Sequence, residues 1–584
     1  MHSNAELQHL FGQIQRLLQS GAHEKALALV SDQPETIIQS KQVQKLSSVL
    51  MMKCCRYHAA IELLEGMLSD EPNDDDIHHK LAVAYRHINN LLVAKSHAQK
   101  ALIIMPNNEK YALHLSMIQK QNGELLTAIS ELENFVLQFN DSDAVNAELA
   151  SLLLSAFEYE KALKVVDKIA TSYYSLMLKL ETRIALNHYQ DAMELVPQLK
   201  TLQYSATIAE ILGFSDMLVQ LGEIKLAQEL IRPITEHSFA VVHAKVTNRL
   251  LTQSEVKQIA ESVWLQQLNS EAQQIMLFAI SKYYFHESDT HNAFKFCHQA
   301  NAACAPINSY KSDVERYFTS LEKSVMLDDH SGRYKSSSNL PIFIIGMPRS
   351  GTTLLENMLS CHSMIASGGE TPYLNLALNG KNYYANTHTE RIVYLDKFDS
   401  WNDEHRKSAT EFYLEHLSQF NSVESHVTDK LPHNFMNLRA IFSLFPNAKV
   451  IHVVRNPIAN CMSIYKENLG EFHRYGCELE YLAEYYKKYA KLMAQWQAVS
   501  VTNNLYTLDY EQLVNEPEQT LRSVFNYIGL AYESSCLDYY KQDKAVKTLS
   551  KNQVRKPIYK QSLKPWIGVE DEIKPLLRAF TDYL

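Results

Sequence analysis

Cysteine is sparse and scattered in this chain of 584 residues: there are eight, Cys54 and Cys55 are adjacent, and no C-x-x-C pair occurs. That pattern builds neither a disulfide framework nor a zinc site, so the thiols read as buried or idle side chains in a reducing compartment. Glycine and proline, 16 of each, are too few for long disordered or collagen-like stretches. No segment approaches the roughly 18 apolar residues of a membrane span. The start, MHSNAELQHLFGQIQRLL, lacks the basic segment and apolar stretch of a signal peptide and reads as an amphipathic helix. These absences point to a cytoplasmic protein. Surplus positive charge is missing too. The formal net charge is −10, which removes nucleic acid as a default partner, because backbone phosphates need excess Lys and Arg. A local anion site stays open.

The length exceeds one ordinary domain, so two or more are expected. The first half repeats. Ala26, Ala60, Ala94, Ala128 and Ala162 fall 34 residues apart in similar settings: EKALALV, HAAIELL, VAKSHAQKAL, LTAISELEN and EKALKVV. Pro72 and Pro106 keep the same spacing, each closing a helix. Leu81, Ala82, Tyr85, Ala94, Ala98, Ala101 and Pro106 fit one repeat; Leu115, Gly123, Ala128 and Leu132 fit the next. A small side chain lets two antiparallel helices approach closely, and one pair cannot bury its apolar face alone, so pairs stack. The period resembles the tetratricopeptide repeat, which implies an all-α solenoid. After Ala162 the register slips, although Ala192 and Ala227 keep similar settings and helical patterning continues to about residue 326. The histidines of residues 1–326, such as His78, His79 and His286, have no metal-binding frame. The array is expected to be a scaffold or a surface for a protein partner.

Residues 327–340 are polar and Ser-rich between Gly332 and Pro341 and read as a linker. The character then changes over 341–584. Ile342-Phe-Ile-Ile345 suits a buried parallel strand. Gly346-Met-Pro-Arg-Ser-Gly351-Thr352-Thr353 follows, and then the amphipathic LLENMLS. Strand, glycine loop and helix start form a phosphate cradle, with backbone N–H groups aimed at an anion. The glycine spacing is that of a nucleotide P-loop, but Thr352 stands where its Lys is required. Arg349 lies inside the loop instead, and a guanidinium grips phosphate or sulfate bidentately.

The stretch PIFIIGMPRSGTTLLENML resembles the 5′-phosphosulfate loop of PAPS-dependent sulfotransferases. The resemblance implies that Arg349, Ser350, Gly351, Thr352 and Thr353 hold the 5′-phosphosulfate. AKVIHVVRNPIANCMSIYKENL resembles the family's 3′-phosphate element, with Arg455 at a strand end and Ser463 eight residues on, upon the following helix. LYTLDYEQLVNEPEQTLRSVFNYIGL resembles the next strand and helix and places Tyr510 near the adenine. LSKNQVRKPIYKQSLKPW resembles the C-terminal segment that folds over the cofactor, with Ser550 contacting the transferring group. Together these matches cover roughly 341–570. The implied fold is a tetratricopeptide-like solenoid followed by a P-loop-like, three-layer α/β/α sulfotransferase domain with a mainly parallel sheet. PAPS is the implied co-substrate and PAP the product.

Sulfuryl transfer needs a base for the acceptor hydroxyl, stabilisation of charge on the sulfate and bridging oxygens, and in-line alignment. No metal is required where Lys, Arg and backbone donors supply the electrostatics, and no metal cluster is evident. Glu370, in ASGGETPYL, resembles the base of tyrosylprotein sulfotransferases; partial burial of such a carboxylate raises its pKa toward neutrality. Lys430, in VTDKLPHNF, is the candidate acid or leaving-group stabiliser. His433 is the rival base. The expected function is sulfuryl transfer to a hydroxyl, with tyrosine of a protein or peptide as the preferred acceptor; a small molecule, saccharide or lipid is the alternative. A kinase-like enzyme on the same loop lacks its Lys and any evident Mg²⁺ arrangement. An inactive nucleotide-binding domain behind a repeat scaffold is the reading of another class.

Overall fold

The alanines singled out by their spacing are buried within the helical array. In the computed structural model Ala26, Ala60, Ala94, Ala128 and Ala162 are each 0% exposed, as are Ala192 and Ala227. The structure describes residues 4–139, 142–231, 253–304, 308–325, 333–379, 398–420, 425–499, 504–541, 557–558 and 563–584. The chain divides into two compact units, Met1–Thr182 and Arg183–Leu584.

In the first unit two sets of helices alternate. One set starts at Asp75, Glu109 and Asp143, the other at Tyr57, Leu91, Leu125 and Tyr159, and both step by 34 residues. Asp74, Asn108 and Ser142 open the first set, and each side chain accepts a backbone N–H from the first turn, satisfying a donor the helix cannot. The turn within each pair is closed by one left-handed residue: Cys55, Asn89, Gly123 or Phe157, with φ of 59°, 60°, 78° and 59°. Ala128 packs in a core with Leu125, Leu132, Leu149, Leu153 and Ala162. The slip of register is present in the structure, since the left-handed turns continue unevenly at Asn187, Gly222 and Ser288.

The second unit holds further helices, among them Ser270–His286, Thr290–Ala302 and Asn308–Val325, and then a sheet. Its strands are β1 Pro341–Gly346, β2 Ile365–Ser367, β3 His426–Asp429, β4 Lys449–Val454 and β5 Leu505–Asp509. Their order is β2-β3-β1-β4-β5, and every neighbouring pair is parallel. β1 is buried along its whole length, as its unbroken apolar run requires. On one face Ile342, Ile344, Ile451 and Val453 pack against the helices Thr352–Leu359 and Pro517–Ile528. On the other, Phe343 meets Tyr413 of Asp403–Ser418, and His452 Nε2 lies 2.5 Å from Tyr489 Oη of Leu479–Val499. The result is the three-layer arrangement expected. The register aligns Gly346 with Val453, Val454 with Asp509, and Ser367 with Thr428, so the carboxyl ends of all five strands form one edge. In open α/β sheets that edge is where ligands bind. No disulfide joins any of the eight cysteines. Among the described residues no helix is long and apolar enough to cross a membrane, and no His/Cys/Asp/Glu group is arranged to hold a metal.

Candidate active site

The loop after β1 turns sharply. Arg349 takes a left-handed φ of 66° and Gly351 a φ of 106°. A Cβ on Gly351 would lie 2.3 Å from Cδ2 of Tyr510, so only glycine lets the loop pass that ring. Helix Thr352–Leu359 starts directly at Gly351 with no side-chain cap, leaving its first N–H groups for another partner. Ser350, Thr352 and Thr353 are all buried, and Ser350 Oγ has no hydrogen-bond partner. A buried orphan hydroxyl beside uncapped N–H groups fits an anion.

Two cations close around this loop. Arg349 donates from Nε to Ser463 Oγ at 3.2 Å, and its guanidinium lies 3.9 Å from Glu467. Arg455 leaves the end of β4, donates to the Arg349 carbonyl at 3.0 Å and stacks over the Tyr510 ring at 4.8 Å. Ser463 projects from helix Pro457–Tyr465, whose Asn460 donates to the Pro348 carbonyl at 2.9 Å. Arg349, Ser350, Gly351, Thr352, Thr353, Arg455, Ser463 and Tyr510 thus form one cluster. Burial pushes the Lys466 ammonium below its ordinary pKa, and the Arg349 and Arg455 charges act in the same direction.

A second cluster sits at the ends of β2 and β3. Lys430 follows β3 and is fully buried; its Nζ donates to Glu370 Oε1 at 2.5 Å. Glu370 stands on the turn after β2 with 45% of its side chain exposed. The turn is fixed by Gly368 N–H to the Thr428 carbonyl at 3.0 Å and Lys430 N–H to the Gly369 carbonyl at 2.9 Å. His433 sits in an aromatic pocket, with Nε2 3.3 Å from Tyr475 Oη and its ring edge-on to Phe472. Ser550, with Gln553 and Val554, lies outside the described residues.

Several residues here gave no signal in sequence. Glu356, on the loop helix, is buried with Oε2 3.9 Å from Lys430 Nζ. Asp429 is buried against Tyr413 Oη at 3.0 Å and Asn434 Nδ2 at 3.1 Å; burial pushes its carboxyl up to about 7. Within the second unit, side chains of the helical part reach the site. Asn187 donates to the Ser367 carbonyl at 2.8 Å. Helix Thr290–Ala302 clasps Tyr465, which ends the Ser463 helix: Asn301 Nδ2 lies 3.0 Å from its carbonyl and His298 Nδ1 2.8 Å from its hydroxyl.

Residues 341–534 match the model of the sulfotransferase family. An uncharacterized protein of Aquifex aeolicus (strain VF5) is 26% identical over 575 residues, covering 92% of this chain and 74% of its own length. Protein-tyrosine sulfotransferase 2 of Gallus gallus is 27% identical over 257 residues, 42% of this chain and 68% of that protein. The solved sulfotransferase domain of the Synechococcus PCC 7002 olefin synthase is 19% identical, covers 44% of this chain and 98% of its own, and superposes with a TM-score of 0.32. Residues 341–534 thus match the sulfotransferase family and are homologous to protein-tyrosine sulfotransferases, behind a helical region of tetratricopeptide-like period.

Proposed function

We propose that this chain transfers a sulfuryl group from PAPS to an acceptor hydroxyl, with a tyrosine of a protein or peptide as the acceptor. The observation that carries the proposal is the convergence of Arg349, Arg455, Ser463 and Tyr510 on one uncapped glycine loop, beside the Lys430–Glu370 pair. Homology to protein-tyrosine sulfotransferases supports the choice of acceptor. In functional terms the chain divides into helical repeats over 1–326, a linker over 327–340 and the sulfotransferase domain over 341–584.

PAPS supplies an activated sulfuryl group on a phosphate leaving group. On this proposal the loop N–H groups, Ser350, Thr352, Thr353 and Arg349 hold its 5′ end, Arg455 and Ser463 its 3′-phosphate, and Tyr510 its adenine. The orphan Ser350 hydroxyl and the uncapped helix start fit that role. Glu370, partly exposed, takes the acceptor's hydroxyl proton. Lys430, a buried donor, stabilises charge on the leaving oxygen. Ser550 contacts the transferring group.

Calorimetric titration with PAP, against ATP, tests the cofactor: one-site PAP binding that weakens in Arg349→Ala and Arg455→Ala is expected, and a folded protein that ignores PAP removes the proposal. Labelled PAPS with a tyrosine peptide, a simple phenol and a saccharide then tests the acceptor; turnover of the saccharide alone rejects tyrosine. The helical array is proposed to engage the polypeptide around the tyrosine. A protein acceptor should show a lower KM than a short peptide containing its tyrosine, and equal KM values would refute that role.

A further inference from the structure

The Lys430 ammonium faces two carboxylates, not one. Glu370 approaches from the turn after β2 at 2.5 Å, and Glu356 from the loop helix at 3.9 Å. Asp429, the neighbour of Lys430 on β3, turns its carboxyl away to Tyr413 and Asn434. The two partners differ in setting. Glu370 is 45% exposed and can meet an acceptor; Glu356 is 5% exposed and cannot.

Glu356 Oε1 accepts from Gly369 N at 3.0 Å, Thr428 Oγ1 at 3.0 Å and Ser367 Oγ at 3.1 Å. Three donors on one oxygen, with an ammonium before the other, describe an ionised carboxylate; a protonated Oε2 would set a donor against a donor. Burial raises the pKa of this carboxyl above its ordinary value, and the Lys430 charge and the two hydroxyl donors act against that rise. The same oxygen anchors Gly369, the residue before Glu370, to the helix that begins at the anion loop.

We propose that Glu356 is a positioning residue of this sulfotransferase site: it fixes the Glu370 turn with one oxygen and serves Lys430 as a permanent counterion with the other. The inference rests on the proposed function and deepens it. As the acceptor's O–H bond breaks and its proton forms a new O–H bond on Glu370, Glu370 becomes neutral and its hold on Lys430 weakens. Glu356 stays ionised. The ammonium then keeps one carboxylate partner, remains charged in a buried site, and is released from Glu370 as a donor for the leaving oxygen.

The test uses the full chain and Glu356→Gln, which keeps an acceptor oxygen for the three donors and removes the charge. PAP affinity should stay within about twofold of wild type, while kcat falls at least about tenfold and the alkaline limb of its pH profile moves down by about one unit, the shift expected from losing a counterion at this range. Lysine NMR reads the Lys430 proton without turnover: it should leave at lower pH in Glu356→Gln than in wild type. A lowered kcat on an unmoved alkaline limb, or an unmoved Lys430 titration, overturns the proposal and marks a merely structural role. If Glu356→Gln does not fold, Glu370→Gln decides. With Glu356 still in place, Lys430 should lose its proton no more than about two units below wild type there, and a larger fall overturns the proposal, since Glu370 alone then held the charge. Failure of wild type to bind PAP would sink the sulfotransferase reading while leaving the Lys430 result to be read independently.

Discussion

Gly351→Ala is the sharpest probe of the anion loop. The residue sits at φ 106°, where a side chain is strained, and its new Cβ would lie 2.3 Å and 2.7 Å from Cδ2 and Cε2 of Tyr510. A left-handed backbone costs an alanine about 1–2 kcal/mol. The ring must also move, and it carries the Arg455 guanidinium at 4.8 Å. Losing that stacking costs about 0.5–2 kcal/mol. Together these give about 1.5–4 kcal/mol, a drop in PAP affinity of about tenfold to several hundred-fold. Calorimetry on wild type, Gly351→Ala, Tyr510→Ala and the double variant separates the two parts. In the Tyr510→Ala background the clash is gone, so the alanine should cost only its backbone share, about 1–2 kcal/mol. Equal costs in both backgrounds would refute the idea that the Tyr510 ring sets the loop's need for glycine.

Two further outcomes are expected. Ala128→Leu forces extra volume into the packed core around Leu125, Leu132 and Leu153, and should destabilise the repeats by about 1–3 kcal/mol in urea melts, whereas Leu137→Glu, at a site 82% exposed, should change stability by less than about 0.5 kcal/mol. Asp429 is held up to about 7 by burial, against 3.8 in the unfolded chain, so its contribution to stability is full below about pH 4 and is lost as pH rises through about 7. Asp429→Asn lacks that loss. The stability of wild type relative to the variant should therefore fall by about 4 kcal/mol between those limits, at 1.36 kcal/mol per unit, and a flat difference would refute the buried-acid reading.

The period of the helical array was legible because the residue that must be small is alanine at every crossing from Ala26 to Ala162. The turns of the same array were not. Cys55, Asn89 and Phe157 occupy left-handed positions that glycine would have advertised, because the packed helix pair on either side overrides the local preference. Arg349, Arg455 and Ser463 were legible as short strand-to-helix motifs, since the loop geometry and its charge lie close together in sequence. Their mutual contacts come from the parallel pairing of β1 with β4, which no local pattern encodes. Glu356 was hidden for a different reason. One carboxylate in LLENMLS reads as the wet side of an amphipathic helix, and only the sheet edge brings Lys430, Thr428 and Ser367 to meet it.

Asn301 and His298 hold Tyr465, and Asn187 holds Ser367, from the helical side of the second unit. An evolutionary consequence follows. A sheet region whose Ser463 helix is tethered by its neighbour's side chains is not a freely exchangeable cassette. Moved onto another carrier, it would leave the Tyr465 carbonyl and the Ser367 carbonyl without these donors, and the new host would have to evolve replacements before the graft regained its geometry. The tethers should therefore keep these helices of the second unit and the sheet region travelling together through gene rearrangement as a single inherited block.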